Sequence, residues 1–392
     1  MVGFGAAEIS PLSNVPLAGF AARTSPSTGT HDPLEVVAIS VSEPDCQVAS
    51  VILVADLVAV GCEESRSICR AVAGSLNIEP AAVSFAVTHT HSAPFAAQVL
   101  GGCPEPGYLD QVAAAAVQAA LQASGSMRPA TMRYGSTIVE GVTFNRRGES
   151  STDEVVRTVS FHDDSESLVG LIFCFACHPV VLGPDNTLVS ADWPGVARRW
   201  LQERLRCPAI FLQGCCGDLN TGHKASESVL GSVSPRRTFP EAERVGVRVA
   251  DAAALAVGAA YPVGGSTVSV AVSEVTLSGG PMSGDPDVVA PVSRHAWGEL
   301  DVLLLPGEPF IQVANEIRAR SGRSELLVGG YSGGVPGYLP FPPVVYLAGG
   351  YEVEEAHVFY GRASCFAPQA ATLLVKVGIE LVSQASATNE GW

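Results

Sequence analysis

Two histidines one residue apart, His89 and His91, close the apolar run "AAVSFAVTHTHSAP". If that run continues as a strand, residues i and i+2 share a face, and both imidazoles project together. Such a pair suits a metal ligand with a neighbour that handles protons. A hairpin edge with two half-exposed histidines is the plainer alternative. Four further stretches have the same character, an apolar segment that ends in polar or conformationally special residues. His178 follows "LIFCFAC", Asp218 and Asn220 follow "AIFLQGCCG", and Glu308 stands between Gly307 and Pro309 after "DVLLL". Tyr331 and Tyr338 lie in the glycine-rich "VGGYSGGVPGYLPF". Polar side chains at strand ends facing one crevice are the usual way α/β proteins assemble sites. Two histidines and a carboxylate from separate strands fit a divalent site, where zinc keeps one position open and lowers the pKa of a water there. Each residue alone has a structural alternative. A histidine after an apolar strand can be a satisfied core residue, and Glu308 can cap the helix "PFIQVANEIRARS".

The elements that must carry these residues are short strands alternating with helices. Strands are expected at "EVVAISVS", "QVASVILVADL", "VSFAVTHT", "TVSFHD", "LVGLIFCFA", "AIFLQG", "STVSVAVSEVTL", "DVLLLPG" and "ELLVGGYS". Helical periodicity marks "CEESRSICRAVAGSLN", the Ala-rich "YLDQVAAAAVQAALQAS", "PGVARRWLQERLRC", "PEAERVGVRVADAAALAVGAAY" and "APQAATLLVKVGIELVSQA". The pattern implies an α/β, or mixed α+β, fold with mixed β-sheets covered by helices. No repeat or low-complexity linker divides the chain, so residues 1–392 are expected to form a single catalytic domain. Two Gly/Ser/Pro-rich stretches, "GHKASESVLGSVSPRRTF" and "SGGPMSGDPDVVAPVSRH", read as long surface loops.

Composition excludes several classes. The 392 residues are 47% hydrophobic and only 16% charged, enough to bury a large core and too apolar for a disordered chain. With 39 acidic against 23 basic residues, the formal charge of −16 repels a phosphate backbone, and nucleic-acid binding is not expected. No apolar run approaches the roughly 20 residues that span a bilayer, so no membrane segment is expected. The N-terminal residues show no secretory leader, which points to a cytoplasmic protein. Ten cysteines then read as buried thiols. "CFACH" matches a haem-attachment pattern, but it closes an apolar strand, whereas that chemistry needs an exposed loop in an exported chain. The composition permits a homodimer without requiring one.

Taken in order, "GFGAAEISP…LAGF", "VADLVAVG", "VTHTHSAP", "FNRR", "FACHP", "VSADWPG", "FLQGCCGDLNT", "LPGEPF" and "GYLPFPPVVYLAGGYEVEEA" resemble the catalytic domain of the neutral/alkaline (non-lysosomal) ceramidase family. The resemblance runs along nearly the whole chain and implies a zinc amidohydrolase with Zn2+ as cofactor. It implies His89, His178, Glu308 and Tyr338 as metal ligands. His91 would contact the reacting amide and its water, Tyr351 would hydrogen-bond the oxyanion, and Arg146 would bind substrate oxygen, with Arg147 as the neighbour one register away. Asp56 and Asp192 become candidates for carboxylates that orient the histidines. The family has a serine in a Q-S-N-A-G-D motif. Here the motif reads Gln213-Gly214-Cys215-Cys216-Gly217-Asp218, which puts Gly214 at the serine position and argues against a serine nucleophile. Gly214 and Cys215 are the corresponding substrate-side residues, and Cys215 reads as a packed thiol. The family's ceramide-cleaving members carry an export signal and a further C-terminal domain, and this sequence is expected to have neither. The expectation is a zinc-dependent hydrolase of an amide bond in a small soluble substrate. Alternatives are acyl transfer or cyclisation at the same site, ester or lactone hydrolysis, or a non-catalytic metal-binding homologue.

Overall fold

Three sheets, each faced by helices, supply the strand ends on which the candidate residues sit. The computed structural model describes residues 1–11, 14–98, 102–225, 227, 231, 236–280, 284–323 and 325–388. The first sheet runs β1 (Val2–Glu8), β2 (Glu35–Val41), β3 (Ser50–Ala55) and β4 (Val83–Val87) in spatial order. Its last pair, β3 and β4, is parallel, so a crossover is required, and α1 (Cys62–Leu76) provides it. The Ala-rich α2 (Tyr108–Gly125) lies directly on β1. A Cβ on Gly5 would stand 2.1 Å from the Ala119 carbonyl oxygen, so only glycine permits that approach.

The second sheet is built from β5 (Thr131–Ile138), β6 (Val155–His162), β7 (Leu168–Phe175), β8 (Ala209–Gln213) and β9 (Tyr261–Pro262). Its spatial order is β8-β7-β6-β5-β9, with β7 and β8 parallel. Helices α3 (Asp192–Leu205) and α4 (Phe239–Gly258) cover one face through Trp193, Ala197, Val249 and Ala253, packed with Phe173 and Phe211. The third sheet holds β10 (Val268–Leu277), β11 (Val288–Trp297), β12 (Leu300–Leu304) and β13 (Leu327–Gly329), again with a parallel last pair. It is backed by α5 (Ile311–Ser321) and α6 (Pro368–Thr388). The inner faces of all three sheets meet in one cluster that includes Ile39, Ile52, Phe161, Ile172, Leu212 and Leu304. The mixed α+β expectation holds.

The first Gly/Ser/Pro-rich stretch falls partly outside the described residues. The second is not a loop throughout, because Val288–Trp297 is a ten-residue strand. Pro291 concealed it: proline lacks the donor that a two-sided strand needs. Here β11 pairs β12 only from Ser293 onward, so Pro291 lies where the strand has a single neighbour, opposite Glu274 of β10.

Candidate metal centre

His89 does not extend its strand. β4 ends at Val87, and the backbone turns through His89 with φ +68°. The Thr88 and His89 amides donate to the Ala55 and Leu57 carbonyls at 2.9 Å each, which fixes this non-glycine residue in a left-handed conformation. The two imidazoles therefore meet through a turn and not by strand alternation. Their centroids are 4.8 Å apart with planes at 84°, and their Nε2 atoms are 3.2 Å apart. His178 arrives from the end of β7. Its ring centroid is 4.8 Å from that of His89, and the ligand atoms of His89, His91 and His178 lie within 4.8 Å of one another. Gln213, wholly buried at the end of β8, clamps the two segments. Its amide donates to the Thr88 and Cys177 carbonyls at 3.1 Å each, immediately before His89 and His178.

Tautomers follow from the backbone. His89 Nδ1 stands 2.6 Å from the Val58 carbonyl oxygen, and His178 Nδ1 stands 2.7 and 3.0 Å from those of Cys216 and Leu219. A carbonyl only accepts, so each Nδ1 carries the proton and each Nε2 presents a lone pair. Those lone pairs point at Glu308 Oε2, at 3.4 Å from His89 and 3.1 Å from His178. Three acceptors thus converge in a buried pocket, with His91 Nε2 at 3.2 Å from His89 Nε2 and the Tyr331 hydroxyl at 3.4 Å from Glu308 Oε2 as the nearest groups able to donate. The set of two imidazole nitrogens and one carboxylate oxygen is a zinc donor set, and a bound cation relieves their mutual repulsion. His91 has its Nδ1 buried and unpartnered, while its Nε2 lies 3.2 Å from His89 Nε2, placed to exchange a proton there or to serve as a further ligand.

Glu308 is not a helix cap. Its carboxylate faces the histidines, and Asp218 Oδ1 accepts from the Ile311 amide at 2.9 Å instead. The Glu308 backbone pairs in parallel with Tyr338. Tyr331 donates to Glu308 Oε2 at 3.4 Å, with its ring centroid 4.5 Å from that of His89, and Tyr360 donates to Oε1. Sequence reasoning passed over Tyr360, which sits in "AHVFYGRAS" with no motif or strand end to signal it. Tyr338 stacks on His178 at 6.5 Å and 17°, and packs edge-on to Tyr351 at 5.9 Å. The Arg146 guanidinium lies 5.4 Å from the Tyr338 ring centre and 5.6 Å from that of Tyr351. Its Nε and Nη2 are bound to Glu352 (2.8 Å) and the Gly217 carbonyl (2.7 Å), and Arg147 takes the other oxygen of Glu352 at 2.7 Å. A cavity of about 40 Å³ opens over the cluster, walled by His91, His178, Arg146, Tyr338, Tyr351 and Phe20 among others. His223, from the loop after "GDLNTG", also lines it and was not singled out from sequence.

Other candidates lie elsewhere. Asp56 binds Arg198 at 2.6 and 3.1 Å, and Asp192 accepts from the Leu182 and Trp193 amides at 3.0 and 2.6 Å. Backbone carbonyls, not these carboxylates, orient the histidines. Gly214 and Cys215 are not among the cavity's lining residues. A Cβ on Gly214 would press on Ala176 at 2.9 Å, so glycine is required there for packing. Burial of Cys215 pushes its thiol far above the ordinary range. Native alkylation should therefore modify the exposed Cys46 and Cys103 and leave hydrolysis intact. Inactivation that tracks label on Cys215 would contradict this, as read by peptide mass mapping. Cys174 and Cys177 of "CFACH" are buried as well, away from any exposed attachment loop.

Burial lowers the His178 pKa to about 4, outweighing the opposing pull of Glu308. An unfolded chain protonates this ring near pH 6.5. The metal-free protein should therefore lose stability as pH falls from 6.5 to 4, by about 3 kcal/mol from this group. Urea midpoints with chelator at pH 7 and 4.5 test this. A pH dependence equally steep in His178→Ala would contradict it.

The buried imidazoles of His89, His91 and His178, carried at the ends of helix-faced sheets, form a cluster that could hold a metal ion. The family model "Neutral/alkaline non-lysosomal ceramidase, N-terminal" matches residues 1–235, and the chain belongs to that family. Membership places it among amide-cleaving hydrolases. Glu308, Tyr338 and Tyr351 lie beyond the matched residues and rest on the geometry above. Among solved structures, the chain is similar to neutral ceramidase from Pseudomonas aeruginosa, with a TM-score of 0.80 at 17% identity over 97% of this chain and 74% of that one. It is also similar to a ceramidase complexed with C2, with a TM-score of 0.81 at 16% identity over 99% and 75%. At such identities the likeness establishes the fold. No curated protein matches the sequence. Among the described residues, no helix is long and apolar enough to cross a membrane.

Proposed function

We propose that this chain is a zinc-dependent amidohydrolase acting on a small substrate, with residues 1–392 as its catalytic unit. The observation that carries the reading is the convergence of the His89 and His178 Nε2 lone pairs on Glu308 Oε2. These three residues would hold the ion, with Tyr338 as the fourth ligand that the family resemblance implies. Zinc there would supply Lewis acidity toward a carbonyl and an acidified water as nucleophile.

The remaining residues divide the work of binding and proton transfer. His91, kept neutral by burial, takes a proton from the nucleophile and returns it to the leaving nitrogen. The Tyr351 hydroxyl faces charge developing on the carbonyl oxygen. Arg146 is held by Glu352 and Gly217, so it positions Tyr338 and Tyr351 from behind while its edge lines the cavity. Phe20 lines the cavity of about 40 Å³ beside His91. A serine nucleophile has no place in this scheme, since Gly214 stands at the family's serine position and packs on Ala176.

The test is turnover of short-chain N-acyl amines by zinc-loaded protein, followed by mass spectrometry. The expected products sum to substrate plus one water. Products without added water would instead indicate acyl transfer or ring closure. Equal turnover in the presence of chelator would overturn the metal-dependent reading.

A further inference from the structure

A second cavity of about 300 Å³ lies apart from the metal centre, between α1, the open half-edge of β4, and the β10–β11 pair. It has the size of a small-molecule pocket. Its body is apolar, with Val83, Phe85, Val272 and Pro291 on the walls.

Its polar floor has a direction. Trp297 Nε1 can only donate, and it does so to Ser50 Oγ at 2.9 Å. The arrangement that leaves no buried hydroxyl proton unpaired then has Ser50 donate onward to His295 Nδ1 at 2.8 Å. The other ring nitrogen then carries the proton and donates to Ser84 Oγ at 2.8 Å. Ser84 in turn donates to Ser293 Oγ at 2.8 Å. In this order the imidazole is neutral, and burial holds His295 there by lowering its pKa to about 3. Each link spends its proton on the next. The last hydroxyl, on the 5% exposed Ser293, is left to donate into the cavity that it lines. Ser332 does not compete, because its hydroxyl is turned to the Phe85 carbonyl at 3.3 Å.

Cations complete the chemistry. Arg66 is neutralised by Glu63 and Glu274. Arg70, also on the lining, has no carboxylate partner among the described residues. A relayed hydroxyl donor, a free guanidinium and an apolar body of this size call for one kind of occupant.

We propose that this cavity is a binding site for a small aliphatic monocarboxylate. The carboxylate would take the Ser293 hydroxyl and the Arg70 guanidinium, and the chain would lie on Val83, Val272 and Pro291. Octanoate, a flexible aliphatic monocarboxylate, serves as the probe.

Isothermal titration of the intact protein with octanoate tests the assignment, with chelator present so that the metal centre does not capture the carboxylate. Saturable one-site binding is expected, at least about tenfold tighter than that of octan-1-ol. Arg70→Gln and Ser293→Ala should each weaken octanoate by about tenfold and leave octanol nearly unchanged. Val272→Trp fills the cavity from a 39% exposed position that the fold tolerates, and it should abolish binding. Absence of saturable binding, equal affinity for the alcohol, or undiminished binding by Val272→Trp would each overturn the proposal. Circular dichroism of each variant separates loss of a ligand contact from loss of fold.

Discussion

Glu308→Gln is expected to stabilise the metal-free protein while removing metal-dependent hydrolysis, two effects of opposite sign from one isosteric change. In the wild type, Glu308 Oε2 faces the lone pairs of His89 and His178 at 3.4 and 3.1 Å. The glutamine amide turns that acceptor into a donor to both rings, at the loss of the long 3.4 Å bond from Tyr331, while its oxygen still accepts from Tyr360. Satisfying buried acceptors in this way is worth about 1–2 kcal/mol without metal. With zinc present the order reverses, because a neutral amide is a poor ligand for the ion. Hydrolysis should fall by at least about a thousandfold, or about 4 kcal/mol of barrier. Chemical unfolding of both proteins with chelator and with zinc reads both signs. A variant less stable than wild type under both conditions would mean that the carboxylate is a structural partner of the histidines and nothing more.

Glu352→Ala is the largest expected structural loss. The carboxylate is 2% exposed and binds Arg146 through one oxygen and Arg147 through the other. Removing it leaves the buried Arg146 guanidinium without its counter-charge, and Arg147 with Glu149 alone at 3.2 Å, at a cost of about 3–5 kcal/mol. The loss reaches the site because Arg146 packs against both Tyr338 and Tyr351. Glu352→Gln should recover part of the stability but little of the turnover, since hydrogen bonding returns without the charge that anchors Arg146. A loss below about 1 kcal/mol in Glu352→Ala, measured by urea unfolding, would contradict this account of the arginine pair.

The sequence made the strand ends legible because each candidate follows an apolar run broken by glycine, proline or histidine. His89, His178 and Glu308 were found that way, and the structure brings them within hydrogen-bonding range. What periodicity could not convey was the route. The imidazoles of His89 and His91 were expected to align on a strand, yet they meet because His89 takes a left-handed turn set by long-range bonds to Ala55 and Leu57. The orienting groups were misread for a related reason. Asp56 and Asp192 are conspicuous in sequence, whereas the Val58, Cys216 and Leu219 carbonyls that hold the rings carry no side-chain signature. Tyr360 was invisible because its segment shows neither strand nor motif. Val288–Trp297 was hidden by a proline that the one-sided pairing of its strand tolerates.

Metal content is the most direct measurement of the central claim. Protein purified without added metal, analysed by elemental mass spectrometry beside His178→Ala, should carry close to one zinc per chain, with little or none in the variant. An absence of metal in both, or equal zinc in the two, would contradict a centre built on His89, His178 and Glu308.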